Sequence, residues 1–127
     1  MQALDACIYP AYTIRVTDDI YRRLAACEGF EWDDGNAPKV RTRHDVEPGE
    51  CEQTFFGEPL LVSADDKHSQ AEERWRALGC TLGGRRLHLV FTRRGTNIRV
   101  LAARNMNRKE RRDHEQAKAR AEEEADV

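Results

Sequence analysis

The spacing of apolar positions along this chain changes near residue 60. Before it they are sparse and irregular; after it they alternate with polar ones. Tyr12, Ile14 and Val16 alternate over a few residues and predict a short strand. Asp18 and Asp19 open a short helix running through Arg22 to Cys27, and Gly29 stops it. Phe30-Glu-Trp-Asp33 alternates aromatic and acid, as a half-buried edge strand does, and Asp34-Gly35-Asn36 is turn chemistry. Residues 37–45 predict a polar helix with Pro38 in its first turn. Val46-Glu-Pro-Gly49 breaks it. Glu50–Phe56 predicts a second short helix with Cys51, Thr54 and Phe55 sharing one face.

From Leu60 the pattern is that of strands. Leu60-Leu-Val62 is a short apolar run, and Asp65–Gln70 is a polar loop. Glu73–Thr81 then alternates, with Trp75, Ala77 and Gly79 opposite Arg74, Arg76 and Leu78. Gly83-Gly84 signals a hairpin, Leu87–Thr92 places Leu87, Leu89 and Phe91 on one face, and Arg94–Asn97 is a second turn. Ile98–Ala103 returns. Asn107 with Glu110 three residues on is a capping-box variant that opens a last, almost wholly polar helix. Beyond His114 that helix has only alanines to bury, so its end is expected to project or fray. Two short helices, an antiparallel sheet of about four strands and a C-terminal helix make an α+β fold. The expected organisation is a poorly patterned extension over 1–29, a domain over 30–114 and a charged tail over 115–127.

Composition sharpens this only when divided along the chain. The 127 residues carry a net charge of −2 with 35% charged and 39% apolar side chains. Residues 1–73 hold 7 Lys or Arg against 16 Asp or Glu. Residues 74–112 hold 12 against Glu110 alone, and residues 113–127 hold 2 against 6. The basic middle contains eleven arginines and a lone lysine, Lys109. A guanidinium offers phosphate a planar fork where an ammonium is a point charge, so this bias points to a polyanion. The competing reading is a solvated face, or pairing with the acids of residues 1–73. No apolar run is long enough for a membrane span, and the N-terminus lacks a basic leader. Cys7, Cys27, Cys51 and Cys80 are irregularly spaced and read as free thiols of a cytoplasmic protein.

Among titratable groups, His44, His68, His88 and His114 show no metal-ligand spacing. His88, mid-strand, reads as packed or superficial, and His68 as an exposed loop residue. His114 follows Arg111 and Arg112, cations that favour its neutral form and so suit proton transfer. Glu73 beside Arg74 is either a simple charge pair or an acid held in a cleft.

Taken in order, Phe30-Glu-Trp-Asp33, Gly35-Asn36, Lys39, His44, Phe55-Phe56, Pro59 and Lys67-His-Ser69 resemble the BrnT family of toxins. So do Glu73-Arg74, Ala77-Leu-Gly79, Val90-Phe-Thr92, Arg94-Gly95, Ile98-Arg-Val100, Ala103-Arg104 and Met106-x-Arg-Lys-Glu-Arg111. The resemblance spans about residues 30–114. Ala102 stands where relatives often have serine, His114 where they often have tyrosine, Arg43-His44-Asp45 where they often read Lys-His-Gly, and Val40 where asparagine often follows the lysine. The resemblance implies a RelE-like fold and a metal-independent ribonuclease that needs no cofactor and inhibits translation. It also implies a BrnA-like antitoxin partner, with operator DNA reached only through the complex. In that mechanism Arg74, Arg99 and Arg104 would clamp the phosphate, and His114, or failing it Glu73, would move protons. Arg76, Arg94, Arg108 and Arg111 would hold the RNA backbone. Trp75 would stack a base or, the commoner role, fill the core. The alternatives are a toxin relic without catalysis and a basic RNA-binding accessory protein.

Overall fold

A computed structural model describes residues 18–68 and 71–125. The expected strand Tyr12–Val16 lies outside them. Helix α1 spans Asp18–Ala25, and strand β1 is the pair Gly29–Phe30. Helices α2 (Ala37–His44) and α3 (Pro48–Phe56) follow, then β2 (Leu61–Ala64) and a single 3-10 turn at Asp66–His68. Strands β3 (Trp75–Cys80), β4 (Arg86–Arg94) and β5 (Asn97–Asn105) form the meander, and α4 (Arg108–Ala125) closes the described chain.

The α+β expectation holds, with one change to the sheet. It has five strands in the order β1-β5-β4-β3-β2, and β1 runs parallel to β5, pairing Gly29 with Asn97 and Phe30 with Ile98. The sheet is therefore mixed rather than wholly antiparallel. The two tight turns of the meander contain Gly84 and Gly95 at φ +89° and +60°, backbone that favours glycine.

Local chemistry sets the helix ends. Helix α3 starts at Pro48 rather than Glu50, because a proline at the first position lacks only an N–H that would go unused. Glu47 caps it, and its backbone N–H donates to Glu50 Oε1 at 3.0 Å. The capping box at α4 is reciprocal: Glu110 N–H donates to Asn107 Oδ1 at 2.8 Å, and Asn107 N–H to Glu110 Oε1 at 2.9 Å.

The two faces of the sheet have different coverings. On one, α1, α2 and α3 bury the main core around Val62, Trp75, Ala77, Leu87, Leu89, Phe91, Ile98, Val100 and Ala103. Ile20 of α1 joins that core, and Tyr21 Oη donates to the Leu60 carbonyl at 2.8 Å. The packed unit thus begins within the segment expected to be an extension. On the other face, Leu61 and Leu78 meet Met106 and Ala117, so α4 covers one corner of it. Ala117 is buried and α4 continues to Ala125, past the expected boundary at residue 114.

A candidate nucleic-acid interface on the outer face of the sheet

Alternation along β3 sends Trp75 and Ala77 into the main core and Arg76 and Leu78 to the outer face; Arg74, two residues before Arg76, follows it. On β4, Leu87, Leu89 and Phe91 point inward, so His88, Val90 and Thr92 point outward. The register then carries the outer face across to β5. Arg76 stands opposite Val90 and Val90 opposite Ala102; Leu78 stands opposite His88 and His88 opposite Arg104; Thr92 stands opposite Arg99. Arg94, two residues after Thr92, continues that face. The sequence-derived candidates Arg74, Arg76, Arg94, Arg99 and Arg104 are thereby gathered on one face.

A bulge makes this possible. Val90 pairs with Ala102 and Phe91 with Val100, so Leu101 has no partner. The extra residue resets the alternation of β5, and Ala102 and Arg104 fall on the side of Arg99.

Acids from the front of the chain meet several of these cations. Arg99, 7% exposed, donates from Nη1 to Glu31 at 2.7 Å and to Asp33 at 2.8 Å, and from Nη2 to Asp33 at 2.9 Å. The Arg99 guanidinium holds the Asp33 carboxyl below its ordinary range. Arg94 lies 3.6 Å from Glu31 and 3.5 Å from Glu72. Both readings of the charge pattern therefore have a structural counterpart: the arginines share a face, and the acidic front pairs with part of it. Arg104 makes two parallel bonds to Glu110, at 2.8 and 2.9 Å, so the cap of α4 also orients a sheet arginine. Arg76 is exposed and makes no ion pair among the described residues.

His88 carries no local signal in the sequence, where a mid-strand histidine reads only as packed or superficial. Its cross-strand neighbours reveal it. Its Nε2 is 3.9 Å from Glu110 Oε2. Burial, with Arg104 and Arg76 nearby, pushes its pKa down to about 4, which leaves a neutral imidazole beside the cations.

The remaining candidates lie elsewhere. His114 is 2% exposed, with Nε2 3.0 Å from the Pro59 carbonyl oxygen, and burial lowers its pKa. A ring so enclosed holds α4 to the Pro59 loop, and the cations acting on it are Arg86 and Lys118 rather than Arg76 or Arg104. Glu73 is two residues from Trp75 and follows its inward face; its carboxylate is exposed, 3.3 Å from Arg23. Trp75 is core, stacked on Phe91 at 5.7 Å between centroids. Arg108 and Arg111 are exposed in the first turns of α4, and Arg111 donates to the Met106 carbonyl at 3.1 Å. Arg85 ties the end of α2 to the sheet through the carbonyls of His44 and Asp45 and the Glu50 carboxylate.

Among the described residues no group of three or more His, Cys, Asp and Glu side chains is placed to hold a metal, and no helix is long and apolar enough to cross a membrane. Residues 32–110 match the model of a family described as the ribonuclease toxin, BrnT, of a type II toxin-antitoxin system. No curated protein matches the chain.

Proposed function

Because that match covers more than half of the chain, the protein belongs to the BrnT family of type II toxins, and from this premise we propose that it cleaves RNA on the outer face of its sheet, without a metal. The observation that carries the proposal is the gathering of five arginines on a face that α4 leaves partly uncovered, with Arg76 and Arg104 beside a neutral His88.

The chemistry suits such a face. The ribose 2′-oxygen attacks the adjacent phosphorus while the bond to the 5′-oxygen breaks. The products are a 2′,3′-cyclic phosphate and a free 5′-hydroxyl. One proton leaves the 2′-hydroxyl and one reaches the 5′-oxygen, and the pentavalent phosphorus needs cations around it. Arg76 and Arg104 hold the phosphate, with Arg74 and Arg99 flanking them in the next row. His88 moves the proton in place of His114. Phosphate bound between Arg76 and Arg104 would offset two of the charges that lower the His88 pKa, bringing it closer to neutrality. Arg94, Arg108 and Arg111 bind the backbone on either side.

In a cytoplasmic setting, cleavage would inhibit translation until a BrnA-like antitoxin covered the face with acidic and apolar groups; operator DNA would be reached only through that complex. The carboxylates already on Arg94, Arg99 and Arg104 favour a second reading, a member that binds its antitoxin without catalysis.

One assay separates them. Purified full-length protein is incubated with a defined RNA and excess chelator, and the ends are analysed. New 2′,3′-cyclic phosphate and 5′-hydroxyl ends, lost in Arg76→Ala, support the enzyme. Intact RNA, with and without ribosomes, overturns it in favour of the binding protein.

A further inference from the structure

Behind the arginine face, where β3 begins, an open cavity of about 330 Å³ lies beside α1. Its lining includes Arg23, Glu72, Glu73, Trp75, Thr92 and Arg93. The cleavage chemistry proposed above uses none of them.

Two features of the cavity bear on what it can hold. The first is a guanidinium backed by an aromatic ring. The Arg23 guanidinium lies over the Trp75 ring, 5.4 Å from its centroid, and Trp75 is itself fixed in the core against Phe91. Arg23 is about one-third exposed and lines the cavity. Guanidinium planes supported in this way stack well on flat aromatic ligands such as nucleobases. The second is a hydrogen-bond pattern of acceptors. Glu73 is 69% exposed and meets Arg23 through Oε1. Glu72 meets Arg94 from the outer face. Thr92 directs its hydroxyl hydrogen to the Glu73 carbonyl at 2.7 Å.

An ionised carboxylate only accepts hydrogen bonds, and its two oxygens match a pair of neighbouring donors. Guanine carries such a pair, N1–H and the N2 amine, side by side on one edge. Adenine and cytosine set an acceptor nitrogen beside their amine, and uracil flanks its single N–H with two carbonyls. Each would face the carboxylate with a repelling lone pair. Arg93, exposed at the rim, supplies a cation for the phosphate that accompanies the base.

We propose that this cavity is a guanine-binding subsite, with the base stacked on Arg23 and its N1–H and N2–H donated to the Glu73 carboxylate. The assignment deepens the ribonuclease reading and rests on it for one consequence: RNA cleavage falls at a fixed offset from guanosine.

The test titrates the full-length protein with 5′-GMP, 5′-IMP, 5′-AMP and 5′-UMP by calorimetry and maps cleavage on an RNA with scattered guanosines. A bidentate contact predicts GMP binding tighter than AMP or UMP by about tenfold or more, with IMP, which lacks the N2 amine, weaker than GMP. Glu73→Gln should erase the ranking. Arg93→Ala should weaken every nucleotide and preserve it. Equal affinities for the four nucleotides, or a ranking unchanged in Glu73→Gln, overturns the subsite even if RNA is cut. A guanine ranking that Glu73→Gln erases, in a protein that cuts no RNA, upholds the subsite and removes the ribonuclease reading instead.

Discussion

Arg99 and Arg104 are an odd number of residues apart on β5 and still share a face, because Leu101 between them has no partner on β4. A regular strand would have sent them to opposite sides. One would then have joined the polar face and the other would have been driven into the core. The bulge thus decides whether the basic stretch forms one surface or two.

If that surface holds the scissile phosphate, Arg76→Ala and Arg104→Lys should each slow RNA cleavage by about 10²–10³-fold, the usual scale for losing one contact to a developing anion. Lysine keeps the charge at 104 but loses the two-pronged contact. Arg120→Ala, on the exposed distal part of α4, should be silent. Equal and mild losses at all three positions would mean diffuse electrostatics rather than a site. Single-turnover rates on one defined RNA make the comparison.

Arg99 is expected to act on stability as much as on RNA. Its guanidinium neutralises Glu31 and Asp33, and removing it leaves two carboxylates facing each other beside β5. Arg99→Ala should lower the urea midpoint, with Arg99→Lys intermediate. In the Asp33→Asn background the Arg99→Ala loss should shrink, and an unchanged loss would remove the coupling.

The buried histidines predict acid sensitivity of a defined sign. His88 titrates near 6.5 when unfolded and at about 4 when folded, so between those values the unfolded chain binds more protons. Stability should be full above about pH 6.5 and fall as pH drops towards 4, by on the order of 3 kcal/mol for His88 alone. His114 shifts in the same direction and adds to the slope. Asp33 and Glu110, whose values are lowered from the carboxylate range, begin to contribute only at the acid end. Urea unfolding at a series of pH values should show the slope in the wild type and a shallower one in His88→Gln. Parallel curves would exclude His88 as the source.

Truncation is expected to reach the core sooner than residue 30. Ile20 is 4% exposed among core side chains. Ile20→Ala should cost about 2–4 kcal/mol, the range for emptying a packed aliphatic site. A chain beginning at Gly29 should lose at least as much. Equilibrium unfolding of both checks this, and wild-type stability in the truncated chain would show that α1 is only an appendage.

Much of the fold was legible from neighbours in sequence. Turn glycines at 84 and 95, period-two alternation from Trp75 to Phe91, and the Asn107–Glu110 box each act within a few residues, so each left a local mark. The resemblance to BrnT toxins rests on the same local strings in their order. Three features that shape the candidate site left none. The bulge at Leu101 is a mismatch between two strands and exists only once they pair. The carboxylates on Arg99 come from a loop some 66 residues away in sequence, and net charge by segment shows only that such acids are present. His88 takes its character from Arg76, Arg104 and Glu110, which reach it across strands and from α4. The elements and the sign of the charge they carry can be read from the chain alone, because backbone preference and side-chain alternation are short-ranged. Which arginines face the same way, which are neutralised by the chain's own acids, and which histidine lies beside Arg76 and Arg104 emerge on folding, because those depend on register and long-range packing.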